Sequence, residues 1–366
     1  MTTRRYRAAV IGATGRGGYG HGLHLAFRGL EQVEVVAVAD QDEAGRARAQ
    51  QECGAPRSYA DWRHMLACER PDIVSVGPRW ASCHLELVLG CLEAGAHVYC
   101  EKPMTCDLEE GDQIVSMAAA AGRKVAVAHQ GVYLPRVQHV REQLRAGRIG
   151  RVQAIYAHGK QDQRGGGEDM IVLGTHLLNM MRFFAGDVEW MWAHVTAQGR
   201  ELRPEDVHEP GEPVGPVAGD HVDSYFAFRS GVSGFFDSRA NQAGGGRRYG
   251  MEIVGSEGIV SLRGGTAGEL MIYPYPVFLP SQVGRSWEPL CELPDATLAE
   301  GNRLAVLDLI AAVEEGREPL SSARDAVAAL EMILGAYEAQ ITGCRVRFPM
   351  TRRHPLAVWQ QGQSGA

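Results

Sequence analysis

Long apolar runs are missing from this sequence of 366 residues. The run nearest the start, residues 8–13, is too short for an export signal, and no later run reaches the roughly 18 apolar residues that a membrane-spanning helix needs. The eight cysteines form no Cys-x-x-Cys pair, and a disulfide framework is not expected in a chain of this size without an export signal. These absences predict a cytoplasmic protein with reduced thiols and no membrane partner.

Concentrated charge of one sign is missing as well. The net charge is −7 and no block of like charges occurs, so a polyphosphate chain has no basic surface to bind and no nucleic-acid partner is expected. No spacing of histidine, cysteine and aspartate resembles a metal site, so no metal is expected.

Lysine is nearly absent: only three of the 37 basic residues are lysine, namely Lys102, Lys124 and Lys160. Arginine is therefore the ordinary cation of this chain. A position that retains lysine is a hint of a site that needs a compact, titratable ammonium group and not a planar guanidinium.

The first 130 residues alternate between strands and helices. Helices of about a dozen residues between strands imply parallel pairing through right-handed crossovers, which predicts an α/β domain. The predicted strands are residues 8–11, 33–39, 72–76, 96–99 and 124–128, and the predicted helices are 42–53, 82–94 and 108–121. Because a chain of this length is too long for one core, we predict two domains, residues 1–130 and 131–366.

The remaining sequence predicts an α+β domain with a large, mainly antiparallel open sheet. Its strands are longer, and turn pairs such as Ser230-Gly231 separate several of them. The predicted strands are residues 151–158, 225–228, 234–238, 251–254, 259–262 and 270–273, and the predicted helices are 135–146, 169–184, 304–315 and 324–342. The stretch 203–219 is rich in proline, glycine and acids, and predicts a long loop of the kind that forms lids or contact arms.

A glycine-rich segment follows the first strand and favours dinucleotide binding. A pyrophosphate needs a tight turn, close backbone approach and the start of a helix, and we expect a helix after this segment. Thr14 stands where the second glycine of G-x-G-x-x-G belongs, so the segment alone is weak. Asp40, at the end of the next strand, is placed to bind ribose hydroxyls and to repel a 2′-phosphate, which favours NAD over NADP. The predicted contacts in this region are Gly12, Thr14, Gly15, Arg16, Gly17 and Asp40.

A second candidate lies where a later strand ends. Glu101-Lys102-Pro103 follows the strand at 96–99, and open α/β sheets bind ligands at the carboxyl ends of their strands. Three residues alone are a common match by chance.

Taken in order, these segments and several later ones resemble one family, the glucose–fructose oxidoreductase / inositol dehydrogenase / MocA (Gfo/Idh/MocA) oxidoreductases. The resemblance implies a Rossmann domain for NAD or NADP and a C-terminal substrate domain whose sheets often pair into dimers or tetramers. Its members act mostly on sugars and cyclitols. The matching segments are G-A-T-G-R-G, V-A-V-A-D, the Val76-Gly77-Pro78 strand end, A-G-A-H-V-Y-C-E-K-P, Gly150-Arg151-Val152, the G-T-H helix, M-E-I-V-G-S-E-G-I-V and T-G-C-R-V-R-F-P.

By position, the resemblance makes Lys102 the active-site lysine and His176 the catalytic histidine. An ammonium at Lys102 would stabilise alkoxide character as hydride leaves the carbon, and a histidine suits a general base. Pro78, Glu101 and Lys102 complete the expected cofactor contacts. Judged by its apolar neighbours alone, His176 is better explained as a core histidine.

The sequence departs from the family pattern beside this histidine. Val172 and Asn179 stand at two positions where family members frequently have aspartate. Valine can accept neither a proton nor a hydrogen bond. Asp169 lies seven residues before His176, on the same face of the predicted helix but about 10 Å away. We expect the substrate pocket to include nearby polar residues. They are Lys160, Asp162, Glu168 and Asp169, together with Tyr133.

Three functions follow as hypotheses. The leading one is NAD-dependent oxidation of a secondary alcohol of a sugar, glycoside or cyclitol, by a homodimer or homotetramer formed through the C-terminal sheet. The second is a redox-neutral glycosidase that oxidises a ring carbon, eliminates the aglycone and reduces the ring again with one tightly held NAD. The third is a non-catalytic, NAD-binding sugar sensor.

Overall fold

The computed structural model describes residues 5–264, 269–276, 284–293, 296–351 and 353–363. It divides into two compact units. The first unit is Met1–Tyr133, Gly211–Gly215 and Thr297–Val327. The second unit is Leu134–Pro210, Pro216–Ala296 and Ala328–Ala366.

The first unit contains a six-stranded parallel sheet in the order β3-β2-β1-β4-β5-β6. Its strands are β1 (Tyr6–Ile11), β2 (Val33–Ala39), β3 (Arg57–Tyr59), β4 (Ile73–Val76), β5 (His97–Cys100) and β6 (Val125–Val127), and its crossover helices are α1 (Glu43–Cys53), α2 (Trp62–Glu69), α3 (His84–Glu93) and α4 (Leu108–Ala121). Apart from the edge strand β3, the strands are mostly buried, as expected for a sheet covered on both faces. The order reverses between β1 and β4, and such a switch point is where open α/β sheets bind ligands. The predicted parallel sheet is confirmed.

Side-chain caps fix where the crossover helices begin. The Asp42 carboxylate accepts a hydrogen bond from Gly45 N–H at 2.6 Å at the start of α1, and Asp107 accepts from Glu109 N–H at 2.7 Å at the start of α4. Gly54 and Gly122 end these two helices in the left-handed region, where glycine carries no steric penalty.

The glycine-rich segment, whose glycines continue to Gly22, does not lead into the α-helix that the sequence predicts. A bridge joins Ala13 to Gly18, turns follow, and the single helical stretch before β2 is a 3-10 turn at Leu23–Leu25. The reason is backbone conformation, because positive φ angles interrupt a right-handed helix. They occur at Gly15 (83°), Gly17 (86°), Gly18 (58°), Gly20 (59°) and Gly22 (80°).

The second unit contains a ten-stranded sheet whose main path runs β15-β14-β13-β12-β7-β11-β10-β8-β16, with β9 paired to β8. All pairs are antiparallel except β7 with β11, so the predicted, mainly antiparallel sheet is confirmed. The strands are β7 (Val152–His158), β8 (Val188–Ala197), β9 (Arg200–Glu201), β10 (His221–Phe228), β11 (Ser233–Arg239), β12 (Gly250–Gly255), β13 (Ile259–Arg263), β14 (Leu270–Tyr273), β15 (Glu288–Pro289) and β16 (Val346–Arg347).

Side chains alternate between the two faces of this sheet. One face, with Phe226 and Phe236, is buried, whereas the other exposes Tyr156 (39%) and Trp192 (45%). The remaining helices are α5 (Pro135–Arg145), α6 (Gly167–Val172), α7 (Gly174–Ala185), α8 (Leu298–Glu315), α9 (Ala323–Thr342) and α10 (Pro355–Gln363). Across the described ranges, none of the helices is both long and apolar enough to cross a membrane.

The single helix predicted at 169–184 is two helices, α6 and α7, separated at Leu173. Gly174 packs so closely on Phe236 that a Cβ atom there would lie 2.9 Å from the ring. Asp169 and His176 therefore lie on different helices, and the predicted shared helix face is wrong.

Residues of the C-terminal half complete the first unit. Val127 N–H donates to Ser321 C=O at 2.9 Å, and a bridge joins Ala126 to Ser322. This contact pairs main-chain groups at the edge of β6. Helix α8 belongs to the same unit.

Candidate functional site

A cavity of 160 Å³ opens in the first unit beside the carboxyl ends of β1 and β2. Four of the predicted cofactor contacts lie together in its wall: Gly12, Thr14, Arg16 and Asp40. The rest of the lining is Ile11, Ala13, Ala39, Gln41, Ala60, Trp62, Cys83, Glu86 and Leu87. The mixture of apolar walls and a few polar groups is typical of a small-molecule site.

Two glycines of the glycine-rich segment allow its backbone to lie close to other residues of the first unit. A Cβ atom on Gly12 would lie 2.1 Å from the Tyr19 ring, and one on Gly17 would lie 2.5 Å from Arg79 N. Gly15 has open space around it but a φ of 83°, which disfavours any other residue. The open space beside Gly15 is where this backbone could approach a dinucleotide pyrophosphate, although no helix starts there.

Asp40 is buried, and its carboxylate binds the glycine-rich segment. It accepts hydrogen bonds from Thr14 N–H at 3.0 Å, from Thr14 Oγ1 at 2.8 Å and from Asp42 N–H at 3.0 Å. Thr14, the residue that breaks the glycine pattern, is thus the partner of the acid at the end of β2. The carboxylate forms part of the cavity wall in a fixed orientation.

Two arginines lie near this acid. The Arg16 guanidinium lies 5.8 Å from the centre of the Trp80 ring. The Arg46 guanidinium donates to the main-chain carbonyl of Asp40 at 2.7 Å. Arg46 lies one turn into α1, six positions after Asp40, so the sequence directly after Asp40 gives no sign of this contact.

Glu101 and Lys102 follow β5. The Glu101 carboxylate is fully buried and accepts hydrogen bonds from His21 N–H and His21 Nδ1, each at 2.9 Å, and from Lys102 N–H at 3.0 Å. Burial by itself would raise the pKa of Glu101, but the hydrogen bonds and charge of His21 outweigh it and hold the pKa below its usual value. Lys102 is 4% exposed, and its peptide bond to Pro103 is cis.

His84 connects the ends of β4 and β5. Its ring is fully buried, with Nε2 2.7 Å from Pro78 C=O and Nδ1 3.0 Å from Met104 C=O. His84 is the first residue of α3, within the helix that the sequence predicts at 82–94. The sequence does not predict its second role, which is to connect Pro78 to the segment after Lys102.

His176 lies in the second unit, half-buried in the first turns of α7. Val172, four residues earlier, is buried and apolar, and Asn179 is buried one turn later. An amide accepts hydrogen bonds but takes no proton at neutral pH. Neither position therefore supplies a carboxylate to the imidazole.

Lys160 and Asp162 lie close together near the end of β7. Lys160 Nζ is 3.5 Å from Asp162 Oδ2, and Arg164 donates to the same carboxylate oxygen at 2.8 Å. Hydrogen bonds from Arg164 lower the pKa of Asp162 to about 2, against the opposing effect of partial burial. Lys160 is accessible, with 46% of its side chain exposed, whereas 20% of the Asp162 side chain is exposed.

Asp169 lies beneath this segment. It is fully buried, and its Oδ2 accepts from Ser238 Oγ at 2.6 Å and from Gln161 N–H at 3.1 Å. Burial raises the pKa of this carboxyl. Glu168, next to it, is half-buried.

Tyr133 belongs to the first unit and is buried there. Its hydroxyl accepts a hydrogen bond from Ser321 N–H at 3.2 Å. The structure thus places Tyr133 in the packing of residues 297–327 of the first unit, whereas the other four residues predicted for the substrate pocket belong to the second unit.

Among the residues that the structure describes, no group of three or more histidine, cysteine, aspartate or glutamate side chains is arranged to hold a metal ion.

Comparison with known proteins agrees with this architecture. Residues 6–129 match the model of an oxidoreductase family with an NAD-binding Rossmann fold, GFO_IDH_MocA, and residues 137–261 match the GFO/IDH/MocA C-terminal domain. The chain is 31% identical to D-apiose dehydrogenase of Paraburkholderia graminis over 227 residues, 57% of this chain and 59% of the relative. It is 28% identical to D-glucoside 3-dehydrogenase of Escherichia coli over 200 residues, 51% of this chain and 56% of the relative.

The chain therefore spans little more than half the length of these two relatives. A solved structure of levoglucosan dehydrogenase in complex with NADH and levoglucosan has the same fold, with a TM-score of 0.76, 20% identity and coverage of 95% of this chain and 100% of that one. The two family models, matched in order on the two predicted types of domain, show that this chain belongs to the Gfo/Idh/MocA oxidoreductase family.

Proposed function

We propose that this protein is an NAD-dependent oxidoreductase that oxidises a secondary alcohol of a sugar, glycoside or cyclitol. One observation carries the proposal: Lys102 follows the strand next to the switch point, and Glu101 joins it to the glycine-rich segment that lines the cavity. Relatives named for D-apiose, D-glucosides and levoglucosan support a sugar-like substrate.

The residues that would hold the dinucleotide belong to the first unit. Glycines permit the close approach, and the Asp40 carboxylate in the cavity wall favours ribose hydroxyls over a 2′-phosphate, hence NAD over NADP. When bound, the nicotinamide supplies the hydride acceptor. The proposed contacts are Gly12, Thr14, Gly15, Arg16, Gly17, Asp40, Pro78, Glu101 and Lys102, with Glu101 acting through the groups that it fixes.

The proton chemistry falls to Lys102 and His176. The Lys102 ammonium donates a hydrogen bond to the substrate hydroxyl and stabilises the negative charge that develops on its oxygen. His176 accepts the hydroxyl proton as the carbon–hydrogen bond breaks. Lys160, Asp162 and Glu168 contact the other hydroxyls, while Asp169 supports their segment from beneath and Tyr133 supports the first unit.

The experiment is an absorbance assay of NADH at 340 nm with a panel of free sugars, glycosides and cyclitols, after a check for cofactor that copurifies. We expect wild type and Lys124→Ala to reduce NAD with at least one of them, because Lys124 lies on the surface, where it pairs with Glu318 at 2.7 Å. We expect Lys102→Ala to lose at least about a hundredfold in kcat/KM.

Two other outcomes of this assay would each indicate a different function. Release of an aglycone with copurified NAD and no net NADH indicates the redox-neutral glycosidase. Binding of NAD without turnover of any compound indicates the sensor. Equal rates for Lys102→Ala and wild type would contradict the role of Lys102.

We also propose that the open face of the ten-stranded sheet pairs with a second copy of this chain. An aromatic row crosses neighbouring strands there: Tyr156 stacks on Phe235 with ring centres 4.6 Å apart, and Tyr225 contacts Phe235 and Trp190. Exposed aromatic side chains at the centre of a sheet face are typical of protein–protein interfaces.

A further inference from the structure

Asn302, in the first turns of α8, is a fully buried amide with three hydrogen bonds inside the first unit. Its Oδ1 accepts from Tyr99 Oη at 2.7 Å and from Gln130 Nε2 at 2.9 Å. Its Nδ2 donates to the main-chain carbonyl of His21 at 2.9 Å. One side chain from the C-terminal half thus connects β5, the segment after β6 and the end of the glycine-rich segment.

His21 in turn connects Asn302 to Glu101. Its main-chain N–H and its Nδ1 both donate to the Glu101 carboxylate, and that carboxylate also accepts from Lys102 N–H. Gly20 lies so close to Glu101 that a Cβ atom there would be 2.1 Å from Oε2. The glycine-rich segment and the main chain at Lys102 are therefore fixed to one another through a single buried carboxylate.

We infer that Asn302 is a positioning residue, whose amide fixes His21 so that His21 and Glu101 hold Lys102 and the glycine-rich segment in place. This inference rests on the proposed function, because it assigns Asn302 a role toward the same site. A displacement of about 1 Å in a catalytic group can cost about a hundredfold in rate. The connection is sensitive, because a buried polar group that loses its partner is costly.

The chemistry of the amide supplies a discriminating pair of variants. Asn302→Asp keeps an oxygen for Tyr99 and Gln130 but places a second oxygen against the His21 carbonyl, where a donor is needed. Tyr99→Phe removes one hydrogen bond from the same amide and leaves the bond to His21 intact. Both changes weaken the same buried cluster, but only Asn302→Asp breaks its connection to the glycine-rich segment.

The experiment measures hydrogen–deuterium exchange of residues 12–24 and 97–104 by mass spectrometry, the dissociation constant of NADH, and kcat/KM with a substrate from the panel. We expect Asn302→Asp to raise exchange in residues 12–24 at least about tenfold and to lower kcat/KM about tenfold or more. We expect Tyr99→Phe to lower the melting temperature while exchange in residues 12–24, the dissociation constant of NADH and kcat/KM stay within about threefold of wild type.

The inference is overturned if folded Asn302→Asp and Tyr99→Phe proteins show the same exchange in residues 12–24. If Asn302→Asp does not fold, Asn302→Ala and Gln130→Ala decide instead, since the first removes the donor to the His21 carbonyl and the second removes only another hydrogen bond of the same amide. Higher exchange in residues 12–24 with Asn302→Ala than with Gln130→Ala supports the inference, and equal exchange in the two variants overturns it.

Failure of the proposed function gives a different result. Wild-type protein that oxidises no sugar would remove the proposed activity, yet the exchange comparison would still decide whether Asn302 fixes the glycine-rich segment. Normal wild-type activity with unchanged exchange and kcat/KM in Asn302→Asp would remove only the inference.

Discussion

The two oxygens of the Glu101 carboxylate receive both nitrogen donors of His21, the main-chain N–H and the ring Nδ1, each at 2.9 Å. A residue of the glycine-rich segment and a residue after β5 are thereby joined inside the first unit. An ionised acceptor makes these bonds stronger than neutral ones.

Stability in acid follows from this pair. Because the folded pKa of Glu101 lies below its ordinary value of 4.5, its ionised form contributes stability above about pH 4.5, and that contribution is lost as the pH falls through the lower folded value. We expect Glu101→Gln to lower the free energy of unfolding by about 1–3 kcal/mol at pH 7. The difference from wild type should shrink in denaturant titrations below pH 4.5.

The control for this prediction is Glu315→Gln, at the exposed end of α8, where 62% of the carboxylate side chain is accessible. It should differ from wild type by less than about 0.5 kcal/mol at either pH. A Glu101→Gln protein as stable as this control at pH 7 would contradict the prediction.

Cofactor selectivity should depend on the charge of Asp40. Asp40→Ser removes a carboxylate from the cavity wall while leaving a group that can bond Thr14. We expect the ratio of kcat/KM for NADP to that for NAD to rise about tenfold or more, the equivalent of ~1.4 kcal/mol. The measurement is the initial rate with each cofactor.

Asp42→Ser is the matched control, because Asp42 is adjacent and acidic but caps α1 through Gly45, and serine caps equally well. Its NADP-to-NAD ratio should stay near that of wild type. An equal rise in both variants would mean that general charge, and not the position of Asp40, sets the preference.

A catalytic His176 should be distinguishable from a core histidine by kinetics. We expect His176→Asn to lower kcat by ~10²–10⁴ with a small change in melting temperature, because a general base is worth about that much. His139→Asn, also half-buried in the second unit but on α5, should retain its activity. Loss of stability without loss of kcat would identify His176 as a packing residue.

Assembly should depend on the aromatic row of the open sheet face. We expect Trp192→Glu combined with Tyr156→Glu to shift the protein toward the monomer in sedimentation velocity, because two charges would be buried at the proposed interface. Val358→Glu is the control, since Val358 is equally exposed (46%) but lies on α10. An unchanged sedimentation coefficient in the double variant would contradict the proposed interface.

The sequence was sufficient for the parallel sheet because apolar strands such as β2 and β4, separated by helices, leave few other arrangements. It was misleading after β1, because the glycines that suggested a helix start adopt left-handed conformations that prevent one. The sequence also predicted one helix in place of α6 and α7, because the apolar pattern continues across Leu173 whereas the helix is interrupted there.

The candidate site was predictable where residues follow one another along the chain, as at Glu101 and Lys102. It was not predictable where partners are distant in sequence. Asn302 and His21 are 281 positions apart, and His84 contacts carbonyl groups on two separate segments. Hydrogen bonds of this kind depend on tertiary structure, so no local pattern reports them.

The return of residues 297–327 to the first unit also bears on protein engineering. A fragment that stopped after residue 130 would leave β6 with an open edge and would remove the acceptor for the buried Tyr99 hydroxyl, each a source of misfolding or aggregation. Chimeras that exchange cofactor preference between relatives would therefore need to transplant more than one stretch of sequence, because the unit that contains the proposed nucleotide site consists of three stretches separated along the gene.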